Sequence, residues 1–152
     1  MKKLLLLTGM LLISMLMQAQ QKDFSMPRFF SDGMVLQRDV KIPVWGKGVA
    51  GAQVVVSLGG KRAKTKVQAD GTWKVYLPKM SAGGPYTLEV SAMKSASIYH
   101  QKVENVLIGD VFVCSGQSNM ELPIRRCMDV VGEMVKDYSN DRIRYIKFPH
   151  QF

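Results

Sequence analysis

Ser115-Gly116-Gln117-Ser118-Asn119-Met120-Glu121 is the stretch of this sequence whose residue types and spacing could do chemistry. It follows the apolar run Val111-Phe112-Val113-Cys114 and precedes a helical pattern over Met128–Tyr138. A serine beyond the carboxyl end of a strand, followed by a helical turn, can present its hydroxyl as a nucleophile while main-chain amides hold an oxyanion. Acyl transfer suits that position. A structural reading of the same residues stands beside it: Ser118-x-x-Glu121 is a capping box, in which the serine serves only its own helix. The G-x-S-x-G nucleophile elbow is excluded, because Met120 stands where the second glycine would be.

A serine nucleophile needs a general base to take its proton. The sequence holds two histidines, His100 and His150. His100 falls in a strand pattern and reads as a strand surface residue, while His150 follows the last apolar run.

Gly46-Lys47-Gly48-Val49-Ala50-Gly51 matches G-x-G-x-x-G, whose glycines in a dinucleotide site must open a helix that holds the pyrophosphate on its N-terminal amides. Here they lead into β-branched Val54-Val55-Val56, so an inter-strand loop is expected and no cofactor. Cys114 and Cys127 are too few for a disulfide framework and could be one bridge or two buried thiols; the apolar run around Cys114 favours a buried thiol there.

The elements that must position Ser118 fall into two parts. From Phe24 to Val106, short apolar or alternating runs are broken by Gly, Pro and Asp-Gly signals. They predict strands at Met34–Gln37, Ile42–Trp45, Gln53–Leu58, Arg62–Gln68, Trp73–Leu77, Tyr86–Ser91 and Ser97–Val103, the spacing of an all-β sandwich. Asp70-Gly71 supplies residues for a tight hairpin, and Trp45 and Trp73 read most simply as core. From Leu107, the run to Cys114 is continuous rather than alternating, as in a strand buried on both faces. The helical pattern and a strand at Ile143–Phe148 complete one βαβ unit, too little to cover both faces of a parallel sheet.

Residues 1–20 read as a signal peptide. Lys2-Lys3 form a positive start, Leu4 to Met17 is uncharged and mostly apolar, and Ala19 offers a cleavage site. The apolar run is shorter than the roughly 20 residues that span a bilayer, so no stable membrane insertion is expected after cleavage, and the mature chain is expected to be secreted or periplasmic.

The 152 residues carry a formal charge of +9, with 47% hydrophobic and 22% charged residues. This is ordinary globular usage and excludes collagenous, low-complexity and disordered classes. Removing Lys2 and Lys3 leaves 19 cations against 12 acids, or +7. Arg62, Lys64 and Lys66 alternate with Ala63, Thr65 and Val67 and so share one strand face. No aromatic residue interleaves with them as a stacking platform, so a solvated face is expected and not a nucleic-acid groove.

Ile108-Gly109-Asp110-Val111-Phe112-Val113-Cys114, continuing through Ser115 to Glu121, resembles the nucleophile block of the sialate O-acetylesterase family, secreted members of the SGNH hydrolase superfamily. Phe30 to Arg38, Ile42-Pro43-Val44-Trp45-Gly46 and Ala82-Gly83-Gly84-Pro85-Tyr86 resemble the family's preceding β-sandwich region. The resemblance implies an accessory jelly-roll or Ig-like sandwich at 21–106. It implies the first βαβ unit of a truncated α/β SGNH-hydrolase domain at 107–152.

It further implies that Ser118 is the nucleophile and that its own N–H is an oxyanion donor. The reaction would be removal of O-acetyl groups from sialic acid or related sugars, without metal or cofactor. Gln117, Asn119 and Glu121 become candidates for binding substrate or ordering the loop. The family's base sits in an Asp-x-x-His block, and the residues three before His100 and His150 are Ser97 and Lys147. The base and its aspartate partner are therefore expected outside this chain, which by itself should be inactive. The alternative from another class is a secreted sandwich module that binds glycans through its tryptophans, without catalysis.

Overall fold

The computed structural model describes residues 24–116 and 137–147, together with residues 122, 123, 126 and 135. Seven strands are formed: β1 (Val35–Gln37), β2 (Ile42–Lys47), β3 (Gln53–Leu58), β4 (Lys61–Lys66), β5 (Thr72–Leu77), β6 (Gly83–Lys94) and β7 (Ser97–Gly109). All seven runs expected from the sequence are strands. β6 and β7 extend well past their predicted ends.

A five-stranded sheet has the order β1-β7-β6-β3-β4, and β2 pairs with β5 in a second, two-stranded sheet. Period-2 alternation aims one face of each strand inward. Ile42 and Val44 of β2, and Trp73, Val75 and Leu77 of β5, are buried in one cluster with Val54, Val56 and Leu58 of β3, Leu88 and Val90 of β6, and Val103 and Val106 of β7. Every buried residue among those described is apolar. The fold is thus β-rich, with one core shared by both sheets.

The expected hairpin at Asp70-Gly71 is not one. β4 pairs with β3 and β5 with β2, so the turn carries the chain from one sheet to the other. Its local geometry is nonetheless that of a tight turn: Gly71 takes φ of 79°, and Gln68 N–H donates to the Thr72 carbonyl at 2.8 Å. Asp70 Oδ1 accepts from the Thr72 amide at 2.9 Å and from its hydroxyl at 2.8 Å. Those two bonds, the amide's first, hold the Asp70 carboxyl below the usual carboxylate value.

Gly46-to-Gly51 runs from β2 into β3 with no helix between them. A side chain at Gly46 would run into the Ser25 carbonyl oxygen and the Trp73 ring. This glycine serves close backbone approach, while Gly51 supplies φ of 83°.

The second part departs from expectation at both of its strands. β7 ends at Gly109, and Asp110 to Gly116 carry no ladder. The reason is the length of β1: its last register pair is Gln37 with Gly109, after which Asp39 turns away at φ of 60°. Val111, Phe112 and Val113 are consequently exposed, Val113 at 93%. Cys114 is an exposed free thiol rather than a buried one. Residues 143–147 likewise form no strand, and Tyr145 is 93% exposed. The helix expected over Met128–Tyr138 falls almost wholly outside the described residues.

Candidate functional site

The chain reaches the serine-bearing block from the end of β7, and β1 governs how it leaves. β1 and β7 pair in parallel, Val35 with Leu107, Leu36 with Ile108 and Gln37 with Gly109. Ile108 is in the core, so this ladder is anchored.

Beyond the last pair, side chains continue what the ladder began. Arg38 N–H donates to the Gly109 carbonyl at 2.9 Å. The Val111 amide donates to Gln37 Oε1, also at 2.9 Å. Arg38 Nε donates to Asp110 Oδ1 at 2.9 Å, and its Nη1 reaches Asp39 Oδ2 at 3.0 Å. The hydrogen bond and charge of Asp110, with the charge of Asp39, raise the Arg38 pKa above its ordinary value, so the guanidinium stays protonated at any working pH.

The chain returns to the same strand pair on the far side of the block. Arg144 Nη1 donates to the Gly33 carbonyl at 2.9 Å and to the Asn105 carbonyl, and its Nη2 to Asn105 Oδ1 at 2.9 Å. The receiving corner is itself built. Gly33 N–H bonds the Glu104 carbonyl at 3.0 Å, and Asp32 Oδ1 accepts from the Glu104 amide at 2.7 Å. Gly33 and Asn105 both take positive φ, 78° and 55°.

Gln117, Ser118, Asn119 and Glu121 lie outside the described residues, as do Cys127 and His150. Ser115 and Gly116, just before them, are exposed. His100 sits on β7 opposite Ser91, on the exposed face of the five-stranded sheet, as a strand surface residue does. Among the described residues no group of three or more His, Cys, Asp or Glu could hold a metal ion.

A hollow of about 340 Å³ lies on the β3–β4 pair, lined by Gln53, Val54, Val55, Lys64, Thr65 and Lys66. It contains no serine, histidine or carboxylate, and β4 is the edge opposite β1. It is therefore not the place for the chemistry of the block. Trp73 is buried, and Trp45 packs against Phe29 and Phe30 with centroids 5.1 and 5.0 Å away. Both tryptophans are committed to packing rather than free to stack on a sugar.

The sequence reasoning did not find Gln37, Arg38, Asp110 and Arg144 as contacts of the block's two ends. The available signal was that Gln37-Arg38 closes one run that resembles the family and Asp110 stands near the start of another.

No family model matches the chain. It is similar to the sialate O-acetylesterase of Pongo abelii, 31% identical over 131 residues, covering 81% of this chain and 25% of that protein. The sialate O-acetylesterases of Homo sapiens and Mus musculus are each 30% identical, covering 81% and 82% of this chain and 25% and 24% of theirs. Among solved structures, a carbohydrate acetylesterase from Xanthomonas citri is 40% identical with a TM-score of 0.66, covering 76% of this chain and 26% of that one. The chain thus spans about a quarter of the length of these relatives.

Proposed function

Because this chain belongs, over 81% of its own length, to the sialate O-acetylesterase family, we propose that it is part of a secreted or periplasmic carbohydrate esterase that hydrolyses O-acetyl esters on sialic acid or related sugars. The observation that carries the reading is the agreement of two kinds of relative, curated acetylesterases at about 30% identity and a solved carbohydrate acetylesterase at 40%.

In this reading residues 1–20 are a signal peptide and 21–106 an accessory β-sandwich. Residues 107–152 open an SGNH-type α/β domain whose first βαβ unit is completed by further chain. Ser118 Oγ attacks the acetyl carbonyl carbon as a general base takes its proton, and the oxyanion is held by main-chain N–H groups, that of Ser118 among them. Collapse of the tetrahedral species expels the protonated sugar hydroxyl and leaves an acetyl-enzyme. Water, deprotonated by the same base, then releases acetate and restores the serine. Gln117, Asn119 and Glu121 bind substrate or order the loop. The base and its aspartate come from outside these 152 residues, so the 152-residue chain alone turns over little substrate. Nucleic acid is not a partner, and among the described residues no helix is long and apolar enough to cross a membrane.

The test is acetate release from O-acetylated sialic acid and O-acetylated neutral sugars by the protein expressed from its whole reading frame. Activity that vanishes in Ser118→Ala supports the reading. Equal activity in that variant removes Ser118 from the mechanism.

A further inference from the structure

The five-stranded sheet buries one face in the core and leaves the other open, and the open face is basic along its β4 edge. Arg62, Lys64 and Lys66 occupy alternate positions of β4 and are exposed. The register sets them beside Ser57, Val55 and Gln53 of β3. Alternate residues of a strand stand about 6.7 Å apart, so the three cations form a row about 13 Å long. Among the described residues none of the three joins an ion pair, whereas Lys102 and Glu89, further across the sheet on β7 and β6, pair with each other at 3.5 Å. The hollow of about 340 Å³ opens on the same strand pair, with Lys64, Lys66, Gln53 and Val55 among its lining residues.

We propose that this outer face of β3 and β4 docks a carboxylate-bearing polysaccharide, with Arg62, Lys64 and Lys66 on the acid groups and Gln53 and Ser57 on sugar hydroxyls. A row of one sign repels itself, and a surface that serves solubility alone intersperses both signs. A polyanion lying along β4 removes that repulsion. Arg62 adds a planar fork of donors that fits a carboxylate with two parallel bonds, and Val55 offers an apolar floor between the polar groups. No aromatic side chain stands in the row or opposite it on β3, so the bases of a nucleic acid would find no platform to stack on. The choice of a sugar polymer rests on the esterase reading; the charge of the face does not. Because Trp73 is in the core and Trp45 is on β2 of the other sheet, a glycan docked here leaves tryptophan emission unmoved.

The experiment measures binding of unacetylated polysialic acid to the protein expressed from its whole reading frame. Its arms are the parent, a triple variant with Arg62→Gln, Lys64→Gln and Lys66→Gln, and a control with Lys41→Gln, Lys47→Gln and Lys79→Gln, which removes the same charge from exposed positions elsewhere. The expected result is binding by the parent that is weakened about tenfold in the β4 variant and less than twofold in the control. Binding should fade toward about 1 M salt, where screening acts within about 3 Å, and neutral dextran should not bind. The single variants Lys64→Gln and Lys66→Gln, each expected to lose about twofold, carry the test if the triple variant does not fold. Parental affinity in the β4 variants, no binding by the parent, or equal loss in the control each overturns the proposal. Single-stranded DNA or heparin bound more tightly than polysialic acid, with the same loss in the β4 variant, overturns the carboxylated-glycan assignment. Acetate release from O-acetylated sialic acid is followed in parallel with Ser118→Ala. Its persistence in that variant fails the esterase reading, and its loss alongside parental polysialic acid binding in the β4 variant fails only the docking face.

Discussion

Phe24 lies flat on Trp73, with ring centroids 5.4 Å apart and planes 5° from parallel. The contact fastens the chain ahead of the first strand to the inside of β5, where Trp73 also donates its indole N–H to the Lys47 carbonyl at 3.2 Å. Aromatic pairs of this kind add about 0.5–1.5 kcal/mol beyond the area they bury. Phe24→Ala is expected to cost about 2 kcal/mol, below the full-burial range because Phe24 is only half-buried. Urea unfolding of the variant and parent chains measures it.

Trp73 is sealed from solvent and Trp45 is shielded by two phenylalanines. Tryptophan emission of the chain should therefore be blue-shifted and poorly quenched by acrylamide. It should also be unmoved by saturating acetylated glycans. A glycan-dependent shift that disappears in Trp45→Phe would restore the sugar-platform reading of the sandwich.

Gly46→Ala is expected to be the most damaging single-methyl change in the described residues. The added carbon would meet the Ser25 carbonyl oxygen, a backbone atom held by its own bond from the Lys47 amide at 2.8 Å. Overpacking at such a place costs about 3 kcal/mol, the top of its usual range. Thermal melting by circular dichroism reads the loss, and a fall of less than a degree would contradict the packing described.

The Asp70 turn gives a pH-dependent prediction. Its carboxyl is held below the ordinary value of 3.8 by bonds from Thr72, so it contributes stability that is present above that pH and is lost as acid protonates the folded form. Asp70→Ala should melt below the parent at pH 7. The gap between them should narrow as the pH falls below about 3.8 and close in stronger acid; a gap independent of pH would show that the charged carboxylate is not what Thr72 recognises.

Strand existence was legible wherever one face is buried, because alternation such as Trp73-Lys74-Val75-Tyr76-Leu77 records which side each residue takes. Sheet membership was not. Asp70-Gly71 looks the same in sequence whether it closes a hairpin or changes sheets, and only the partners of β4 and β5 decide it. The run 106–114 misled for a related reason: its apolar residues describe what the strand needs beside it, while ladder formation depends on a neighbour, and β1 ends at Gln37. The block around Ser118 stood out in the sequence as a candidate, and its residues 117–121 lie outside those described. The contacts that hold Asp110 and Arg144 beside the β1–β7 pair were not legible, since Arg38 with Asp110 joins residues 72 apart and Arg144 with Gly33 residues 111 apart, which no local pattern records.

The parallel pairing of Val35 with Leu107 also fixes an order of events in biosynthesis. β1 emerges early from the ribosome, yet among the described strands its ladder partner is the last one made, so it must wait unpaired while most of the chain is synthesised. Such non-local, parallel closure is slow to form. The five-stranded sheet therefore cannot gain its β1 edge until the polypeptide has passed β7.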